Sequence, residues 1–227
     1  MNRNNLLWFL PILLMVLIAP FTPWLDLEIT KQFYHPENPA FERFSTGAFF
    51  DFLFNYGIMP GWIAFIASTL FFLLSYISKK FENFRSPCLI LILTLIVGAG
   101  FLTHFVLKDH WGRPRPKQTI EFGGTQEFHP FYSPNFFNDK EPAKSFPCGH
   151  CSMGFYFFAL AVIGMRLKKK WMINLGFSLA FFLGILLGVV RIMQGGHYFS
   201  DVLFSCLLMW LTALSMDYLV YQSSLKS

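Results

Sequence analysis

Arg191, His197 and Asp201, set in the stretch Arg-Ile-Met-Gln-Gly-Gly-His-Tyr-Phe-Ser-Asp between apolar runs, are residue types from which a reaction centre can be built. His197 and Asp201 are four apart, so a helix opening here puts both on one face, where the carboxylate can accept a hydrogen bond from one imidazole nitrogen. The other nitrogen is then free to act as a base or a nucleophile, and Arg191, six residues earlier, offers a permanent positive charge to an anion. Taken alone, the triplet fits a helix-end salt bridge and an interfacial arginine equally well. Its meaning depends on whether the rest of the chain answers it.

Two other stretches do. Lys108-Asp-His-Trp-Gly-Arg-Pro-Arg-Pro116 places Lys108 and Arg115 seven apart, with Pro114 and Pro116 stiffening the chain around Arg115. A compact ammonium and a planar guanidinium fork, joined by Arg191, suit a tetrahedral dianion, whereas snorkelling at a membrane surface is the plainer use of such residues. Pro147-Cys148-Gly149-His150-Cys151 reads as a helix start, where unpaired amides and the helix dipole favour an anion and where His150 is placed to protonate a leaving group. The same pentad contains Cys-Gly-His-Cys, the tetrad of thiol–disulfide oxidoreductases. A membrane thiol–disulfide enzyme using Cys148 and Cys151 is therefore a rival reading, although that motif expects a soluble βαβ setting that is not in evidence here. A structural pairing of the two cysteines is a third reading. Cys88 and Cys206, inside apolar runs, read as packing residues.

Lys108-x6-Arg115-Pro116, Pro147-x-Gly149-His150 and Arg191-x5-His197-x3-Asp201 together resemble the three signature motifs of the type 2 phosphatidic acid phosphatase superfamily, in order and with the right internal spacings, over about residues 100–205. Two positions depart from the usual pattern: Cys148 stands where the family usually has Ser, and Val190 where it usually has Ser or Gly. The resemblance implies that His197, oriented by Asp201, attacks phosphorus to form a phosphohistidine, and that His150 protonates the departing alkoxide. Lys108, Arg115, Arg191 and the backbone around Cys148 and Gly149 would hold the phosphoryl oxygens, with charge stabilisation that needs no metal ion or other cofactor. Glu121-Phe-Gly-Gly124, followed by Phe128 and Pro130, resembles a loop of bacterial phosphatases acting on the lipid A moiety of lipopolysaccharide. Lipid A is thus the favoured substrate, with undecaprenyl diphosphate, a glycerophospholipid phosphate, or phosphoryl transfer to a second lipid as alternatives. His104 and His110 flank Lys108 and read as interfacial hydrogen-bonding residues, while Asp109 is expected to neutralise part of the cationic cluster.

The elements that must position these residues are membrane spans. At 227 residues, 54% hydrophobic and 19% aromatic with 30 Phe, the chain is too apolar for a soluble domain. Its net charge of +5 sits in short loops with no continuous basic stripe, so lipid headgroups explain it better than nucleic acid. Six apolar runs of spanning length are expected, at about Leu6–Leu25, Gly57–Ile77, Cys88–Leu107, Cys148–Leu167, Trp171–Val190 and Val202–Tyr221. The first has no small-residue cleavage site after it and reads as an uncleaved helix. The expected fold is an all-α polytopic membrane protein, a single domain over 1–227 with an interfacial loop at 26–56 and an active-site loop at 108–147. Lys and Arg divide nine against nine between the two sides, but Arg3, Lys79, Lys80, Arg85, Arg166, Lys168, Lys169, Lys170 and Lys226 crowd into short tails and loops, where the positive-inside rule acts. Both termini are then cytoplasmic, and the loops 26–56, 108–147 and 191–200 share the opposite, periplasmic face of a bacterial inner membrane. The partners expected are the bilayer and a lipid phosphate; oligomeric state is not legible.

Overall fold

Inside a bilayer every backbone N–H and C=O must find its partner within the protein, so apolar runs of this length become helices. The computed structural model describes residues 3–40, 42–136 and 143–224, and its elements are helical throughout apart from one isolated bridge between Thr119 and Gln126. The central part of the active-site loop, 137–142, and Lys226 lie outside the described residues, as does the side chain of Arg3.

Among the described residues five helices, not the expected six, are long and apolar enough to cross a membrane: Leu6–Lys31, Ala48–Ile77, Lys79–Lys108, Lys170–Met193 and Phe199–Gln222. The first is built from α1 (Arg3–Ile18), a 3-10 turn at Ala19–Phe21 and α2 (Thr22–Lys31). Pro20 and Pro23 sit in the first turns of the last two pieces, where the missing N–H costs nothing. The second joins α3 (Ala48–Tyr56) to α4 (Met59–Ile77). The third passes from a 3-10 turn at Lys79–Phe84 through α5 (Arg85–Leu93) into a π-helix at Thr94–Lys108, a form that concentrates at functional sites. The fourth expected run is divided into α6 (Gly149–Phe155) and α7 (Phe158–Arg166) by a turn at Tyr156-Phe157, which leaves neither piece of spanning length. The chain closes with α8 (Lys170–Met193) and α9 (Phe199–Ser224).

The interfacial loop expected at 26–56 is also shorter than its charge suggested. Asp26, Glu28 and Lys31 belong to α2, and the span after it begins at Ala48. The reason is a polar stripe: Thr22, Asp26 and Thr30, one turn apart, are the buried residues of α2 and face the protein.

The core is α6, α7 and α9, whose buried residues Cys151, Phe155, Phe158, Met209 and Ala213 belong to one cluster, with α8 packed on α6 and α7. Outward faces carry exposed Leu13, Val16, Ile63, Ile66, Phe182 and Ile185, the arrangement suited to lipid as solvent. Close helix approach relies on small residues: a Cβ built on Gly154 of α6 would lie 2.4 Å from the backbone nitrogen of Gly184 on α8. At the far end of α9 from Asp201, Arg166 Nε donates to Asp217 Oδ1 at 2.6 Å. With 1.5 Å of rise per residue, Asp201 and Asp217 are separated by about 24 Å of helix.

This packing predicts that Gly154→Val destabilises the protein by about 1–3 kcal/mol, since the obstacle is backbone and cannot rotate away. Gly100, whose added Cβ meets nothing closer than 3.7 Å, accepts Ala with a change within about 0.5 kcal/mol. Thermal unfolding of the two variants in detergent measures the difference.

Candidate active site

The three motifs meet at one end of the bundle. The π-helix ends at Lys108, α6 begins at Gly149, and the turn from α8 to α9 carries residues 194–198. Lys108 Nζ lies 3.5 Å from where a Gly149 Cβ would be, and His104, one turn earlier, crowds the same point with Nε2 at 2.7 Å. A side chain at 149 would have to displace the His104 ring. Arg115, Arg191 and Asp201 are near enough to act electrostatically on Lys108, and Lys108 and Arg191 act likewise on His150 and His197. The structure thus brings together Lys108, Arg115, Gly149, His150, Arg191, His197 and Asp201. The loops bearing them interlock: Ser45 N donates to Met193 O at 2.9 Å, Lys117 N to Gly195 O at 3.2 Å, and Ser145 N to Arg113 O at 2.9 Å.

The turn after α8 is made possible by Gly195, at φ +61°, and by Gly196, whose added Cβ would meet Arg191 Nη2 at 2.3 Å. His197 follows, buried, with Nδ1 3.5 Å from Asp201 Oδ2. That is an electrostatic contact longer than a formed hydrogen bond, a separation common in catalytic pairs before substrate arrives. Burial, reinforced by the charge of Lys108 and Arg191 and opposed by Asp201, pushes the His197 imidazole down to about 3, so the ring is neutral and nucleophilic over the whole physiological range. Asp201 is held elsewhere too. Its Oδ2 accepts from Ser145 Oγ at 2.6 Å and from Tyr198 N at 2.8 Å, and its Oδ1 accepts from Arg113 Nη1.

Arg113 is the residue that motif reading passed over. Its guanidinium is fully buried, donating Nη2 to Asp26 Oδ2 at 2.8 Å, Nη1 to Ser200 Oγ at 2.8 Å and Nε to His129 O at 2.8 Å, and it packs over the Tyr198 ring at 4.4 Å. Burial works against its charge, but Asp201 and Asp26 outweigh that and hold its pKa above the ordinary value. Asp26 also accepts from Ser200 N at 2.8 Å and from Ser200 Oγ at 2.7 Å.

Phe54, on α3, is a second residue unforeseen in the sequence: its ring stacks on His150 at 4.4 Å and receives the Arg191 guanidinium at 4.8 Å. Arg191 Nη1 donates to Gln194 Oε1 at 2.7 Å, while Nε of Arg191 and Nε of Arg115 are buried without a partner, as donors awaiting an anion would be. Burial lowers the pKa of Arg115, and burial together with Arg115 and Arg191 lowers that of Lys117, a further cation at the mouth. Asp109 acts electrostatically on Lys108, as expected, but its direct partner is another residue. It is exposed, pairs with Lys144 at 2.6 Å, and is acidified mainly by that hydrogen bond.

Cys148 caps α6, its Sγ accepting from Cys151 N at 3.3 Å, and the two sulfurs form a disulfide. Both residues are wholly buried, and Cys148 N is directed to Asp201 O at 3.4 Å. As a phosphate contact Cys148 therefore has neither a free thiol nor a free amide, which leaves the first-turn amides of Gly149 and His150. The Phe-Gly-Gly loop packs inward, with Phe122 buried against Phe44, Tyr34 and Tyr198. Among the described residues no three of His, Cys, Asp and Glu gather as metal ligands.

Residues 88–224 match the PAP2 superfamily. The chain is 34% identical over 204 residues to a lipid A 4'-phosphatase of Francisella tularensis subsp. novicida, covering 88% of each protein. It is 34% identical over 121 residues to a lipid A 4'-phosphatase of Rhizobium leguminosarum, covering 53% of this chain and 48% of that one. A lipid A 4'-phosphatase of Rhizobium etli is 30% identical over 120 residues, covering 53% of this chain and 43% of its own. No solved structure matches.

The neutral His197 has a consequence for stability. An exposed imidazole titrates near 6.5 and this one near 3, so the unfolded chain takes up the proton first and stability is withdrawn as the pH falls between those values. The loss from this group reaches about 3 kcal/mol by about pH 4. His197→Gln, which cannot titrate, shows a correspondingly shallower fall in unfolding temperature between about pH 7 and about pH 4.

Proposed function

As a member of the PAP2 superfamily this chain is a membrane lipid phosphatase, and we propose that it removes the 4'-phosphate of lipid A through a phosphohistidine on His197. The observation that carries this reading is the meeting of a neutral, buried His197 with the charges of Lys108 and Arg191, beside Arg115 and Arg191 guanidinium nitrogens that have no protein partner.

His197 Nε2 attacks phosphorus, the bond from phosphorus to the sugar oxygen breaks, and that oxygen leaves with a proton from His150. The Nδ1 proton stays on the ring, facing Asp201, whose negative charge balances the positive charge that develops there. Bound phosphate offsets the charge of Lys108 and Arg191, which lets His150 carry the proton it must donate. Phe54 holds the His150 ring flat. Water then attacks the phosphohistidine with His150 as base, releasing inorganic phosphate and free His197. Lys108, Arg115, Arg191 and the Gly149 and His150 amides hold the equatorial oxygens throughout, so the charge is met by cations of the protein and no metal ion is required.

The substrate assignment rests on the three relatives, all lipid A 4'-phosphatases, one of them alike along 88% of its length. A pocket at the end of the bundle, beside lipid-facing helices, suits a phosphate that arrives laterally on an amphiphile. We place six crossings in a bacterial inner membrane, counting α6 and α7 together as one, with the short basic loops cytoplasmic and the site periplasmic. The count draws on the apolar content of Cys148–Leu167, and the sidedness on the basic residues.

The test is a phosphate-release panel on lipid A, undecaprenyl diphosphate, phosphatidic acid and phosphatidylglycerophosphate. Lipid A is cleaved fastest, vanadate inhibits, and activity survives chelation; a Mg²⁺ requirement would overturn the metal-free mechanism. His150→Ala lowers kcat by about 10²–10⁴-fold and His197→Ala by at least about as much. The double variant Cys148→Ser/Cys151→Ser keeps much of the activity, whereas a thiol–disulfide enzyme would lose all of it.

A further inference from the structure

Asp26 lies in the first span, outside residues 88–224, and is buried among the residues that support the site. It does two things by geometry. Its Oδ1 accepts from Ser200 N at 2.8 Å, capping the first turn of α9 from another helix, and that turn carries Asp201. Its Oδ2 accepts from Arg113 Nη2 at 2.8 Å and from Ser200 Oγ at 2.7 Å, while the other arm of Arg113 reaches Asp201 Oδ1.

We infer that Asp26 is a positioning residue for His197, acting through Arg113 and Asp201, and that the first span is thereby part of the catalytic apparatus. One guanidinium between two carboxylates leaves a net charge of one electron beside the imidazole. Without Asp26, Arg113 would neutralise Asp201 outright and the ring would face no surplus negative charge. With Asp26 present, Arg113 is shared, and Asp201 keeps the charge that stabilises the imidazole as its Nε2 bonds to phosphorus and the ring becomes cationic. Arg is suited to this place because its planar fork bridges two acids at once, which a lysine cannot do. The inference rests on the phosphohistidine reading above.

The experiment uses the full chain in detergent and the lipid phosphate that the wild type cleaves fastest in the panel. Asp26→Asn keeps the shape and removes the charge; it lowers kcat at least tenfold and leaves KM within about twofold, because no substrate contact is touched. Arg113→Lys, which keeps a charge but not the bridge, lowers kcat in the same way. Since both act through one network, the double variant loses little more than the worse single one. Losses that multiply, a change confined to KM, or an Asp26→Asn enzyme within threefold of wild type would each overturn the inference. If Asp26→Asn does not fold, Ser200→Ala takes its place, with a fall in kcat at constant KM expected and an unchanged kcat fatal. His197→Ala is run alongside: if it stays active, the phosphohistidine reading itself has failed, and that result is separate from any result at Asp26.

Discussion

A guanidinium sealed from water between two carboxylates is the constraint on which the site depends. An unpaired charge at that depth would cost several kcal/mol, so Arg113, Asp26 and Asp201 cannot be rearranged singly. Each comes from a different part of the chain: the first span, the loop after the π-helix and the last span. Their pairing fixes how α2, α9 and that loop meet, and Ser145, Ser200 and Tyr198 complete the oxygens' hydrogen bonds. The position of His197 is set by this polar knot rather than by the apolar packing around it.

Much of the chemistry was legible because it demands particular residue types at fixed spacings. Lys108 and Arg115 before a proline, Gly149 and His150 at a helix start, and His197 four residues before Asp201 stand out against apolar flanks, and the structure gathers them. Gly149 leaves room for the His104 ring, which a side chain there would push aside. What stayed hidden was partner choice over long sequence distances. Asp26 and Ser200 are 174 residues apart, and no periodicity links them. Charge misled at this point. Asp26, Glu28 and Lys31 lowered the local hydropathy enough to suggest a loop, although the one-turn spacing of Thr22, Asp26 and Thr30 was already the signature of a polar face turned inward. The fourth apolar run differs in another way: its composition suggests one helix, and a turn at Tyr156-Phe157, which composition does not reveal, divides it into two pieces.

The site's cations are arranged for an anion on a bulky carrier. Arg191 lies against Phe54, and Phe54 belongs to the helix that runs on into a lipid-facing span. An aromatic face beneath a guanidinium holds the charge in place without neutralising it, and the Arg191 Nε keeps its hydrogen without a protein partner. The disulfide under α6 has a comparable effect, since it ties the two ends of the first turn whose amides border the pocket.

The reach of α2 to α9 also orders events during biosynthesis. α2 carries an aspartate that is synthesised well before two of the residues it is tied to, Ser200 and, through Arg113, Asp201, which belong to α9. Trp210 of that same helix donates to Leu7 O at 2.9 Å, so the contact repeats about 15 Å further along α9. Until α9 is made, Asp26 has Arg113 but neither of the Ser200 hydrogen bonds, and Arg113 has no second carboxylate, so the network closes only when α9 enters the membrane beside the earlier span.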